Sequence, residues 1–302
     1  MPVVNRPRRP AFRWFLASVA AGFMATSLFP TTALAQLAEP GVTTPPGAKR
    51  EPFKPVVGQP GKDVIWVPTP PEVVDRMLDM AQVKRGDRLV DLGSGDGGIA
   101  IAAAKRGAKA RGIEFNPDMV ALSKRNAKAA GVKVDFRQGD IFQTNFTDAE
   151  VVTMYLLPQL NIRLRPTLLA MKPGTRIVSH QFDMGDWEAD ETATIDGRSA
   201  RFWRVPAQVG GQWTVQVEGD GPPLALQLTQ NYQKLSGQGS WNGGAAAELT
   251  DARLEGGAIR FAVADGGGGV YRFEGTAGHD GRMQGKVTDP GGRQRNFTGR
   301  RS

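Results

Sequence analysis

From residue 71 onward the apolar positions follow two different rhythms. Val73, Val74, Met77, Leu78, Met80 and Ala81 recur at helical spacing behind Thr69-Pro70-Pro71-Glu72, which predicts a helix with prolines in its first turn. Short apolar runs then alternate with helical stretches. Strands are predicted at 88–91, 110–114, 132–136, 150–156 and 175–179, and helices at 98–105, 117–130 and 159–171. Such alternation implies a parallel sheet with helices on both faces. After about Pro206 the rhythm drops to two. Runs at 212–218, 225–232, 237–241, 246–254, 258–263, 270–275, 283–288 and 294–298 are separated by glycine turns. Seven or eight strands without a helix predict an up-and-down antiparallel sheet, short enough per strand to close into a small barrel.

This pattern divides the chain at residues 204/205 into an α/β, Rossmann-like domain (64–204) and a β-rich C-terminal domain (205–302) of no evident role. Two further segments precede them. Arg6, Arg8, Arg9 and Arg13 stand ahead of an apolar run at 14–29, and Ala33-Leu34-Ala35 follows, the small-x-small pattern of a signal-peptide cleavage site. The expectation is an exported protein, periplasmic or membrane-proximal, cleaved after Ala35 and touching the membrane only through its leader; Sec and twin-arginine export are equally compatible. Residues 36–63, rich in Pro and Gly, read as a linker. The formal charge of +8 changes little, because the leader's four arginines supply half of it. Without a concentrated basic and aromatic patch, no nucleic-acid partner is expected. Cysteine is absent, which excludes disulfides. Neither His180 nor His279 has a partner at metal-ligand spacing, so no metal site is assigned.

The sharpest local pattern is Val90-Asp91-Leu92-Gly93-Ser94-Gly95-Asp96-Gly97-Gly98, on a predicted strand-turn-helix. Gly93-x-Gly95-x-x-Gly98 fits the dinucleotide fingerprint, in which glycines let a ligand approach backbone at a helix N-terminus. A carboxylate at Asp91, just before the turn, repels a pyrophosphate there and suits a cationic ligand instead. Glu114 ends the second strand at the position that takes ribose hydroxyls. Asp140 follows the third strand in Gln138-Gly139-Asp140-Ile141.

These segments, with Gly112-Ile113-Glu114-Phe115-Asn116-Pro117, resemble class I S-adenosylmethionine (SAM)-dependent methyltransferases. Trp66-Val67-Pro68-Thr69-Pro70, residues 99–104, Thr175-Arg176-Ile177-Val178-Ser179 and Trp187 add a narrower likeness. It is to the protein-lysine methyltransferases of the mitochondrial ATP synthase c-subunit and their bacterial relatives, and it spans roughly residues 64–203. The resemblance implies SAM as cofactor, held by Asp91, Gly93, Ser94, Gly95, Gly97, Glu114, Asp140 and Ile141, with Asp140 reading the adenine amino group. It implies a protein lysine as acceptor. Tyr155 and Pro158, in Thr153-Met154-Tyr155-Leu156-Leu157-Pro158, fall where the methyl group emerges and are the catalytic candidates. The absence of an Asn-Pro-Pro-Tyr or Asp-Pro-Pro-Tyr segment argues against adenine or glutamine as acceptor. The leader and the β-rich C-terminal part depart from the mitochondrial members. Two other readings stay open: an exported binding module whose Rossmann-like part is catalytically silent, and a small-molecule methyltransferase. No dedicated base stands out, and oligomeric state is not legible.

Overall fold

Three helices end by the same device, and it sets where the following strands begin. Helix α1 (Pro71–Met80), α2 (Gly98–Lys105) and α3 (Pro117–Ala129) each run one residue past the helix and then turn through positive φ, at Gln82, Gly107 and Gly131. After α3, Gly131 N–H donates to the Lys128 carbonyl and Val132 N–H to that of Ala127. This is the glycine-ended closure that satisfies the last carbonyls. It uses Val132 as the residue that caps the helix, so strand β3 starts at Asp135 rather than at 132. In this computed structural model residues 53–302, apart from Asp220, are described. The expected leader and most of the expected linker lie outside them.

Strands β1 (Arg88–Leu92), β2 (Lys109–Glu114), β3 (Asp135–Gln138), β4 (Val151–Met154) and β5 (Arg176–His180) are parallel neighbours in the order β3-β2-β1-β4-β5. Helix α4 (Pro158–Leu169) connects the last two. Two more strands complete the sheet: β7 (Arg198–Arg204) pairs antiparallel with β5, and β6 (Glu191–Ile195) pairs with β7 at the edge. This hairpin was not expected from the strand pattern. Its turn is Asp196-Gly197, both at positive φ, between the paired Ile195 and Arg198, the two-residue connection that matches strand twist. The sheet is therefore mixed at one edge. One core packs α1 and α2 against it through Val73, Met77, Leu78 and Ala100. A second lies on the other face around Leu92, Met154, Leu164 and Trp203.

The remaining strands β8 (Gly211–Val217), β9 (Leu224–Asn231), β10 (Lys234–Trp241), β11 (Ala247–Glu248), β12 (Thr250–Glu255), β13 (Ala258–Ala264), β14 (Val270–Ala277), β15 (Arg282–Thr288) and β16 (Gln294–Arg301) form one antiparallel meander. The last strand returns to pair with β8. The run expected as one strand at 246–254 is bent, with Asp251 at positive φ: β11 pairs with β10 and β12 with β13. Because these two short strands are sequence neighbours, the sheet is a nearly closed barrel. Its interior is filled by Trp213, Phe261, Phe273, Phe297 and aliphatic neighbours, all buried.

Specific contacts join barrel and mixed sheet. Trp187 Nε1–H donates to Gln233 Oε1 at 3.1 Å, and its ring stacks on Tyr232 at 6.0 Å. Trp203 Nε1–H donates to the Trp187 carbonyl at 2.9 Å. His279 bridges the same seam: Gln208 N–H donates to Nδ1 at 3.3 Å, so Nε2 carries the proton that reaches the Met171 carbonyl at 2.8 Å. No described helix is long and apolar enough to cross a membrane.

Candidate functional site

The carboxyl ends of β1, β2 and β4 meet at one cavity, the crevice where an open α/β sheet binds ligands. Asp91, Gly93, Ser94, Gly95, Glu114, Asp140, Ile141 and Tyr155 all line it. Gly97 and Pro158 do not line it. Gly97, at φ 89°, is the residue that caps α2, and a Cβ there would meet Phe136 at 2.6 Å. It serves packing beneath the turn. Pro158 is the first residue of α4, where its missing N–H costs nothing. Leu156, Leu157 and Leu160 form the wall on that side instead.

Backbone geometry fixes the carboxylates. Gly93 and Gly95 both have positive φ, which lets the chain double back between β1 and α2. The Gly95 N–H donates to Glu114 Oε2 at 2.9 Å and the Asn116 N–H to Oε1 at 2.8 Å, so Glu114 is pinned at the strand end with lone pairs to spare. Phe142 N–H donates to Asp140 Oδ1 at 2.9 Å. Asp91 is buried, and Thr153 Oγ1 donates to its Oδ1 at 2.8 Å. Burial is the main reason its carboxyl is pushed up to about 7, with the charges of Asp96 and Glu114 adding to it. Asp96, also on the wall, is raised by burial as well.

These four acids, at the strand ends and in the turns after them, face one cavity, and Lys62 is the cation paired with one of them. Such a field favours a cationic ligand and opposes a pyrophosphate. Ser94 Oγ, buried at the cavity, has no hydrogen-bond partner, the mark of a polar group awaiting one. Raised acids, an orphaned hydroxyl and glycine backbone at positive φ together fit a sulfonium- and ammonium-bearing nucleoside. Among the described residues no group of His, Cys, Asp and Glu is placed to hold a metal ion.

The opposite wall was not anticipated. Residues 59–69, of which composition places 59–63 in the linker, line the cavity on this side. Gly58 N–H donates to the Trp66 carbonyl at 2.8 Å and Trp66 N–H to that of Gln59 at 2.9 Å, making a small hairpin. Trp66 lies so close to Gly95 that a Cβ there would meet its Nε1 at 2.8 Å. The signal available was the Gly61 turn flanked by Gln59 and Val64-Ile65-Trp66, too short to stand out.

Tyr155 packs at a tilt against His180, ring centroids 3.9 Å apart, and stacks on Phe182 at 6.2 Å. His180 is buried, and its Nδ1 lies 3.1 Å from Thr69 Oγ1. Burial first, then the Arg198 charge, pushes its pKa down to about 4. It is therefore neutral at physiological pH and packs against Tyr155.

The family model of the ANTKMT methyltransferase domain matches residues 91–191. A protein-lysine N-methyltransferase of Saccharolobus islandicus is 41% identical over 138 residues, covering 44% of this chain and 86% of that protein. The chain belongs to the protein-lysine N-methyltransferase family. Membership makes SAM its cofactor. The ATP synthase c-subunit lysine N-methyltransferase of Mus musculus is 36% identical over 130 residues, 42% of this chain, and the chain spans 52% of that enzyme's length. A crystallised RNA methyltransferase of Salinibacter ruber, in complex with S-adenosyl-L-homocysteine, is 51% identical; the similarity covers 47% of this chain and 96% of that one, with a TM-score of 0.46.

Proposed function

We propose that this protein transfers the methyl group of SAM to the ε-amino nitrogen of a lysine in a protein substrate. The observation that carries the reading is the 41% identity to a lysine N-methyltransferase covered over 86% of its length. Bound SAM supplies a methyl carbon on a sulfonium leaving group. The residues of this chain would align it and exclude water: Glu114 would take the ribose hydroxyls, Asp140 the adenine amino group and Asp91 the cationic end. Tyr155, Phe182 and Leu160, which line the cavity, would wall the route by which an acceptor side chain reaches the methyl carbon. In-line displacement needs alignment more than acid–base help. The acceptor nitrogen must lose its proton first, and an apolar channel lowers its pKa from about 10.4. With His180 neutral and poorly basic, that proton leaves to solvent.

The leader pattern at residues 1–35 adds the proposal that the protein acts outside the cytoplasm. Sequencing the N-terminus of the protein recovered from cell fractions tests it: Gln36 in the periplasmic fraction supports export, and an intact N-terminus in cytosol contradicts it. The acceptor is tested by incubating the protein with SAM labelled in the methyl group and an envelope extract, then treating with protease or ribonuclease. Protease-sensitive label is expected. Label that survives protease and is released by ribonuclease, or that is confined to small molecules, overturns the protein acceptor.

A further inference from the structure

The adenine end of the cavity holds a side chain of the protein's own. Lys62 sits in the turn of the 58–66 hairpin, where Gly61 N–H donates to the Val64 carbonyl at 2.8 Å and Pro60 bridges to Ile65. The turn is tight: a Cβ on Gly61 would meet the Val64 oxygen at 2.5 Å. From it the Lys62 ammonium reaches Asp140 Oδ2 at 2.7 Å and stands over the Phe115 ring, 4.8 Å from its centroid. The other oxygen of Asp140 already accepts from Phe142 N–H. Asp63, the acid adjacent in sequence, is 3.9 Å from the same ammonium, a much looser contact. Phe115 is a large apolar side chain left substantially exposed, and it lines the cavity.

A purine amino group and a lysine ammonium want the same two things: an acceptor on Asp140 and the face of an aromatic ring. Both would approach Asp140 Oδ2 and the same face of Phe115, where the Lys62 ammonium already stands at 2.7 Å and 4.8 Å, so they crowd each other. We infer that Lys62 is an intramolecular competitor for the adenine end of the cofactor, and so a residue that sets cofactor affinity. The inference rests on the cofactor site proposed above. The hairpin covers the cavity with Lys62 on Asp140 and Trp66 against Gly95, and cofactor entry exchanges the ion pair for an adenine hydrogen bond. The Lys62 hydrogen bond is the first cause holding the Asp140 carboxyl below the usual range, consistent with a persistent pair. Pairing lowers the fraction of molecules open to ligand, and apparent affinity falls by that fraction.

The test is calorimetric titration of the full chain with S-adenosylhomocysteine, whose lack of sulfonium charge removes simple repulsion by Lys62 from the comparison. Lys62→Met should bind it more tightly, by up to about fivefold for a partly exposed pair. Lys62→Arg, which keeps the charge and the reach, should bind as the wild type does. In an Asp140→Asn background the gain from Lys62→Met should vanish, since the contested acceptor has lost its charge. Weaker or unchanged binding by Lys62→Met overturns the competitor and leaves the cofactor site standing. A wild type that binds no S-adenosylhomocysteine at all overturns both.

Discussion

Replacing Asp91 with Asn should stabilise the protein while disabling its site. The Asp91 carboxyl is buried, accepts one hydrogen bond from Thr153, and is pushed up from 3.8 to about 7 in the folded chain. In the unfolded chain it ionises near 3.8, so between there and 7 the folded state holds a proton that the unfolded state has released. Stability therefore falls as pH rises through that window. A displacement of about three pH units corresponds to about 4 kcal/mol once both states are ionised. Asparagine keeps an oxygen for the Thr153 hydroxyl and carries no charge to desolvate. The stability gained by Asp91→Asn should thus grow with pH, by about 3 kcal/mol between pH 5 and pH 8. Urea unfolding of both proteins at the two pH values, followed by the fluorescence of buried Trp187 and Trp203, measures it. A stability difference that is the same at pH 5 and pH 8 would refute the claim that Asp91 is held protonated by burial. The same variant should lose SAM, whose ammonium has then no carboxylate to meet.

Three further outcomes follow from the geometry. Glu114→Ala removes the carboxylate expected at the ribose and should weaken SAM binding by about 1–3 kcal/mol in calorimetry; unchanged affinity removes Glu114 from the site. Gly95→Ala puts a Cβ 2.8 Å from Trp66 Nε1 at a φ of 53° and should abolish tight SAM binding, and retention of wild-type affinity would show that the 58–66 hairpin does not pack there. Trp187→Ala should cost about 3–5 kcal/mol in urea unfolding, because the side chain is fully buried between the mixed sheet and the barrel; a cost below about 1 kcal/mol would mean that the seam contributes little.

The parts of this structure that are legible in the sequence are those with local physical causes. The turn at Gly93-Ser94-Gly95 and the acids at Asp91, Glu114 and Asp140 occur at strand ends that periodicity marks, and the structure brings them to one cavity. Helix α2 begins at Gly98 and ends at Lys105, the bounds its alanine-rich pattern predicts. Other features escaped. Strand β3 begins three residues late because Val132 is used to close α3. The β6–β7 hairpin carries an Asp196-Gly197 turn signal, but its strands alternate weakly, with Thr192 and Thr194 on one face. The 58–66 hairpin is visible only once the cavity it covers exists, since Lys62 and Trp66 find their partners at Asp140 and Gly95, far off in sequence. Motif proximity suggests Pro158 and Gly97 for the site; the structure gives them backbone roles at the starts of α4 and α2 and leaves them off the cavity lining.

The most direct measurement of the central claim is amino-acid analysis of the labelled product. After reaction with methyl-labelled SAM, the protein fraction is hydrolysed to free amino acids and separated against methylated standards. Label eluting with Nε-methyllysines is the result predicted. Label eluting with methylated arginine or histidine, or lost on mild base treatment as a carboxyl methyl ester would be, contradicts it.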